Sequence, residues 1–109
     1  MSTPTSFIDG VLIASTLTTY YTLPDYNKCI IKHFSLHNTS SSRVQVTINL
    51  VNTGDTAAVK NQSFKRYIAP FDDRPIHSLI GATLNAKARI QMIADTNNVV
   101  SCRAGGNLV

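Results

Sequence analysis

Apolar and polar residues alternate strictly from Arg43 to Leu50. Val44, Val46, Ile48 and Leu50 take one parity, and Arg43, Gln45, Thr47 and Asn49 take the other. Successive side chains of a strand point to opposite faces, so this period of two predicts a strand with one dry face and one wet face. A one-sided strand needs a second layer to cover it, which points to a β-sandwich or barrel rather than an α/β scaffold.

The remaining segments repeat the theme. Residues 11–22 predict a strand region broken near Leu17, followed by a turn over Leu23-Pro24-Asp25-Tyr26-Asn27. Lys28 to Asn38 predicts a second strand. Ile30, Phe34 and Leu36 share one parity, and Cys29 and Ile31 the other, so a central strand covered on part of both faces is expected. After the polar loop 38–42, the stretch 43–52 is expected to pair back with that strand as a long hairpin. A turn follows at 52–56, then an irregular or singly helical 57–62, a strand at 63–69 and a connection at 70–75. Asp73 is expected to cap one short helical turn at 76–80, stopped by Gly81. Strands at 87–94 and 99–104 flank a predicted hairpin turn, Asp95-Thr96-Asn97-Asn98. The expected fold is an all-β, antiparallel β-sandwich, Ig-like or jelly-roll-like, with about six to eight short strands. Residues 1–10 read as an N-terminal arm, 11–104 as the sandwich domain and 105–109 as a flexible C-terminal tail.

Composition narrows function more than it defines it. At 109 residues the chain makes one domain, and its charged content of 15% is low. Glu and Trp are absent, and the six acids are Asp residues, mostly in turn-like contexts. The net charge is +4, but the basic residues are scattered and only Lys65 and Arg66 are adjacent, which argues against a nucleic-acid site. Cys29 and Cys102 read as free, buried thiols. Phe7-Ile8 and Val11-Leu12-Ile13-Ala14 are too short to span a membrane and no targeting signal precedes them. A soluble protein made in a cytoplasm is expected.

Candidate chemistry is sparse. Cys29, His33 and His37 are spaced like zinc ligands, but four strand residues span about 13 Å, too far to converge on one metal. Asp72 and Asp73 read as a turn and cap rather than a calcium loop. Ser35 and Ser78 lie near histidines without a nucleophile-elbow context, and no glycine-rich phosphate loop is present. No catalytic residue, cofactor or metal is assigned, and an enzyme is not expected. Tyrosines near basic residues also suit a glycan- or nucleic-acid-binding module. A protein interface is the favoured reading, with Phe7, Ile8, Tyr20, Tyr21, Tyr67, Phe71 and Leu108 as its candidate residues.

Five motifs carry a family resemblance. They are Tyr21-Thr22-Leu23-Pro24, Cys29-Ile30-Ile31-Lys32, Leu36-His37-Asn38-Thr39, the alternating strand ending at Leu50-Val51, and Leu79-Ile80-Gly81 ahead of the Ala-rich stretch 86–94. Together, over about residues 20–104, they resemble small β-sandwich virion structural proteins of tailed bacteriophages. The connection Pro70–Pro75 and the Gly105-Gly106 tail depart from that pattern. The resemblance implies a structural protein of the particle with no catalytic residue. A capsid decoration or cement protein is expected first, and a neck, tail or baseplate component second. The implied partners are other copies of the chain and virion proteins such as the major capsid protein, with the terminal arm bridging neighbours. The implied location is the virion.

Overall fold

The computed structural model describes residues 3–23, 28–52 and 62–108, so the predicted turns at 23–27 and 52–56, except for Leu23 and Asn52, and the predicted irregular or singly helical 57–62, except for Gln62, lie outside the described residues. Nine strands appear among the described residues: β1 (Thr3–Leu12), β2 (Thr18–Thr22), β3 (Cys29–Asn38), β4 (Val44–Val51), β5 (Gln62–Ile68), β6 (Asp73–Pro75), β7 (Thr83–Leu84), β8 (Arg89–Ala94) and β9 (Val100–Leu108). One 3-10 turn covers His77–Leu79, inside the predicted helical turn. The strands form two packed antiparallel sheets, as the alternating pattern requires. One has the order β1-β9-β3-β6, with β7 also on β3, and the other β2-β8-β4-β5.

The order has a simple origin. β1 pairs with β9, β2 with β8, β3 with β6, and β4 with β5. The described strands thus make one long antiparallel ribbon that ends in β4 and β5. Rolled up, the ribbon brings β3 against β9 and β4 against β8. This is the jelly roll, one of the two alternatives expected. Between the sheets lie Ile31, Phe34, Leu36, Val46, Ile48, Ile68, Ile90, Met92 and Cys102, all fully or almost fully buried. Rolling leaves two flanks. β1 and β2 border one, and β5, β6 and the 3-10 turn border the other.

Several expectations are corrected. The arm 1–10 is largely edge strand β1. A bulge at Phe7 lets both Phe7 (8% exposed) and Ile8 (2%) turn into the core. The tail is the end of β9, running between β1 and β3 as far as Leu108. Gly105-Gly106 looks like a flexible end in sequence, but both residues are buried, and a Cβ on Gly106 would lie 2.0 Å from the Ile30 carbonyl oxygen. Strands β3 and β4 do not form a hairpin, nor do β8 and β9: each pair is split between the two sheets.

Strand β3 is central as expected, but its apolar residues fall on both parities for another reason than cover on part of both faces. A bulge between Ile31 and His33 shifts its parity, so Cys29 and Ile31 face inward before it and Phe34 and Leu36 after it. On β4, Val44, Val46 and Ile48 are buried as expected, and half-buried Leu50, opposite Ile90, packs against the same core; the register shift beside Ile48 and Asn49 falls in β5, where Ser63 is the extra residue. No side-chain hydrogen bond caps the 3-10 turn, because Asp73 belongs to β6, opposite His37. Gly81 does follow that turn, at φ +91°.

Candidate interaction surface

The flank bordered by β5 and β6 carries the most distinctive surface chemistry. β5 is the last strand of its sheet, and among the described residues it pairs only with β4. Phe64, Arg66 and Ile68 lie opposite Ile48, Val46 and Val44, on the parity that faces the other sheet. Ile68 is buried and Phe64 half-buried against the core, yet Arg66 is exposed. A charged residue at an inward position cannot be sealed under the opposite sheet without losing its hydration. The sandwich accordingly stays open here, in a cleft of about 480 Å³. Its walls are 62–66 of β5 on one side and Arg74, Pro75, Ile76, His77 and Ser78 on the other. Three of these residues are permanent cations, Lys65, Arg66 and Arg74, and none is a carboxylate.

Two exposed aromatics follow the cleft-lining part of β5 in the chain. Tyr67, 45% exposed, carries the Arg43 guanidinium 4.4 Å above its ring centroid, a cation–π contact. Arg74 Nη1 donates to the Tyr67 carbonyl oxygen at 3.4 Å, tying β6 to β5. Phe71, in the turn joining these strands, is 65% exposed and has φ 56°. Left-handed backbone is costly for a residue with a Cβ, and this one spends that cost holding an aromatic ring in solvent.

The other candidates fall elsewhere. Phe7 and Ile8 are core residues, so they cannot meet a partner, and Tyr20 and Tyr21 are half-buried against the same core. The Tyr20 hydroxyl accepts from Ala14 N–H at 2.7 Å, and Tyr21 stacks on Phe7 with ring centroids 4.9 Å apart. Burial, then the neighbouring Cys29, pushes the Tyr21 phenol above its ordinary pKa. Leu108 ends β9, and its side chain lies outside the described residues. Among the candidates whose side chains are described, Tyr67 and Phe71 are the exposed ones.

Sequence reasoning missed Arg43, Arg66, Arg74 and His77 as a group. A signal existed in Phe64-x-Arg66-x-Ile68, where a charge interrupts an apolar parity. On the opposite flank, Val11, Leu12 and Leu17 form further exposed apolar surface that the sequence reading had not singled out.

The potential chemical groups are also placed. Cys29 faces the core while His33 and His37 are exposed. Both cysteines are free and buried, and burial pushes their thiols up, Cys29 to about 11 and Cys102 to about 12. Ser101, His37 and Asp73 form a row across β9, β3 and β6, above a hollow of about 330 Å³ shared with Ser35 and Arg103. No hydrogen bond links the three, whereas an activated serine is held by its base. Compared with protein-family models, with curated proteins and with solved structures, the chain matches none.

Proposed function

We propose that the chain is a structural protein of a tailed-bacteriophage particle, a capsid decoration protein that binds neighbouring virion subunits through its β5–β6 flank. The motif resemblance supports the virion class. The jelly roll is compatible with it by analogy, since that fold serves viral capsids among other uses. The observation that carries the reading is Phe71, an aromatic ring two-thirds exposed on left-handed backbone, four residues after exposed Tyr67. Strain of this kind persists where a function uses it, and a rigid exposed aromatic is a strong interface anchor. Many copies arranged by particle symmetry turn such a small contact into a firm attachment.

The test is copy number in purified particles, read by quantitative mass spectrometry. Copies on the order of hundreds fit a decoration protein on a symmetric shell. A dozen or so would place the same fold in the neck, tail or baseplate, and absence from particles would overturn the virion reading. Within the decoration reading, Phe71→Gly combined with Tyr67→Ser is expected to fold normally, because glycine suits the turn. It should reduce particle occupancy by about tenfold or more.

A further inference from the structure

We infer that the open edge of β5, with the cleft beside it, receives an extended acidic segment of another protein, added to the sheet as a further strand. The inference deepens the proposed function by naming the chemistry of the partner, and rests on the reading of this flank as an interface. Among the described residues, the outer edge of β5 faces no strand, and such an edge offers unpaired N–H and C=O groups to an incoming chain. The seven residues of β5 span about 23 Å when extended, enough to template a comparable length of partner.

Charge selects the occupant. Lys65 and Arg66 sit mid-strand, Arg66 on the inward parity with Arg74 across the cleft from it, and no carboxylate lies among the described residues of its walls. The nearby Asp73 lines the separate hollow around His37. A second copy pairing antiparallel about the middle of β5 would set Lys65 against Lys65 or against Arg66, and like charges directly opposite are destabilising. The basic edge therefore rejects its own copy and favours a strand carrying Asp or Glu at alternate positions. Exposed Tyr67, held under Arg43, gives that strand an apolar rest at one end.

The experiment titrates the full chain with a fluorescein-labelled peptide of about eight residues that alternates Asp with Val and Thr, a length that covers β5. Anisotropy gives affinity, and amide shifts over 62–68 give location. Saturable binding with shifts on β5 is expected. It should weaken about tenfold in Arg66→Glu with Arg74→Glu, by an intermediate factor in the milder Arg66→Gln with Arg74→Gln, and little in Lys28→Glu with Lys32→Glu, which changes net charge equally elsewhere.

N-methylation of alternate peptide amides should also abolish binding, because an added strand needs its N–H groups. Equal binding of the methylated peptide, equal loss in the Lys28/Lys32 control, or no saturable shift on β5 would overturn the inference. So would heparin oligosaccharide or single-stranded DNA occupying the same amides more tightly, which would make the cleft a polyanion site. Failure of this titration leaves the particle copy number untouched, and absence from particles leaves the titration untouched, so the two readings fail separately.

Discussion

Asn38 is a polar side chain with no exposure, and its contacts explain why such a residue is kept inside. Its amide nitrogen lies 2.8 Å from the Ser42 carbonyl oxygen, 3.1 Å from that of Ile68 and 3.2 Å from that of Ala69. Its side-chain oxygen accepts from the Ser40 N–H and hydroxyl at 3.0 and 2.8 Å. One residue thus ties the crossover after β3 to the end of β5 in the other sheet. Asn38→Ala would strand buried carbonyls without donors, and is expected to lower stability by about 2–3 kcal/mol. Urea unfolding would read this as a lower midpoint at unchanged slope. Asn38→Asp should be worse, since it sets a carboxylate against three carbonyl oxygens. The thiols give a pH prediction of definite sign. Burial raises Cys29 from 9.0 to about 11 and Cys102 from 9.0 to about 12, so the unfolded chain gives up these protons first. Their contribution is full below pH 9 and is lost as pH rises through 9 toward 12. The alkaline fall in urea midpoint should flatten in Cys29→Ala with Cys102→Ala.

At the scale of the element, Gly106 fixes how closely β9 can lie against β3. An added Cβ would meet backbone, the Ile30 carbonyl oxygen at 2.0 Å and the Ile31 Cα at 3.0 Å, so neither strand can yield by turning a side chain. Gly106→Ala should therefore cost about 3 kcal/mol or more, although the change is only one methyl group. Thermal unfolding checks it, with exposed Gly81→Ala as a comparison, where strain comes from positive φ rather than a clash.

The same elements show what the sequence made legible. Val44, Val46 and Ile48 were readable as core because alternation is a local property of a strand. Leu50 followed the same alternation, whereas the parity of β3 was misread because its bulge at Lys32 leaves no mark in hydrophobicity alone. The 3-10 turn and Gly81 were readable from local turn chemistry. The two supposed hairpins were not, because Ser40 and Asn98 announce a turn without saying which sheet the chain re-enters. The candidate site was half legible. Tyr67 and Phe71 stand out as aromatics, while Arg66 and Arg74 meet only because the 69–72 connection crosses between the sheets.

For the whole molecule, the rolled ribbon makes the two ends of the chain mutually dependent. β1 is held by β9, which lies in turn against β3, so the last strand to form at one end needs its partner from the other. Removing residues 1–10 therefore does more than shorten an appendage. It deletes most of an edge strand, takes the buried Phe7 and Ile8 out of the core, and uncovers the long edge of β9. The two side chains alone represent about 4 kcal/mol of burial, a large share of a stability of roughly 5–15 kcal/mol for a domain of ordinary size. An uncovered strand edge also invites pairing between molecules. The truncated chain is expected to lose its cooperative urea transition or to sediment as aggregates, and a clean monomer of unchanged midpoint would refute this account of the fold. It follows that loss of particle binding on truncation could not show that residues 1–10 act as a clamp, because the sandwich itself would be damaged. Substitutions on the opposite flank, at Phe71 and Tyr67, leave β1 and the core in place, and so they separate attachment from folding where the truncation confounds the two.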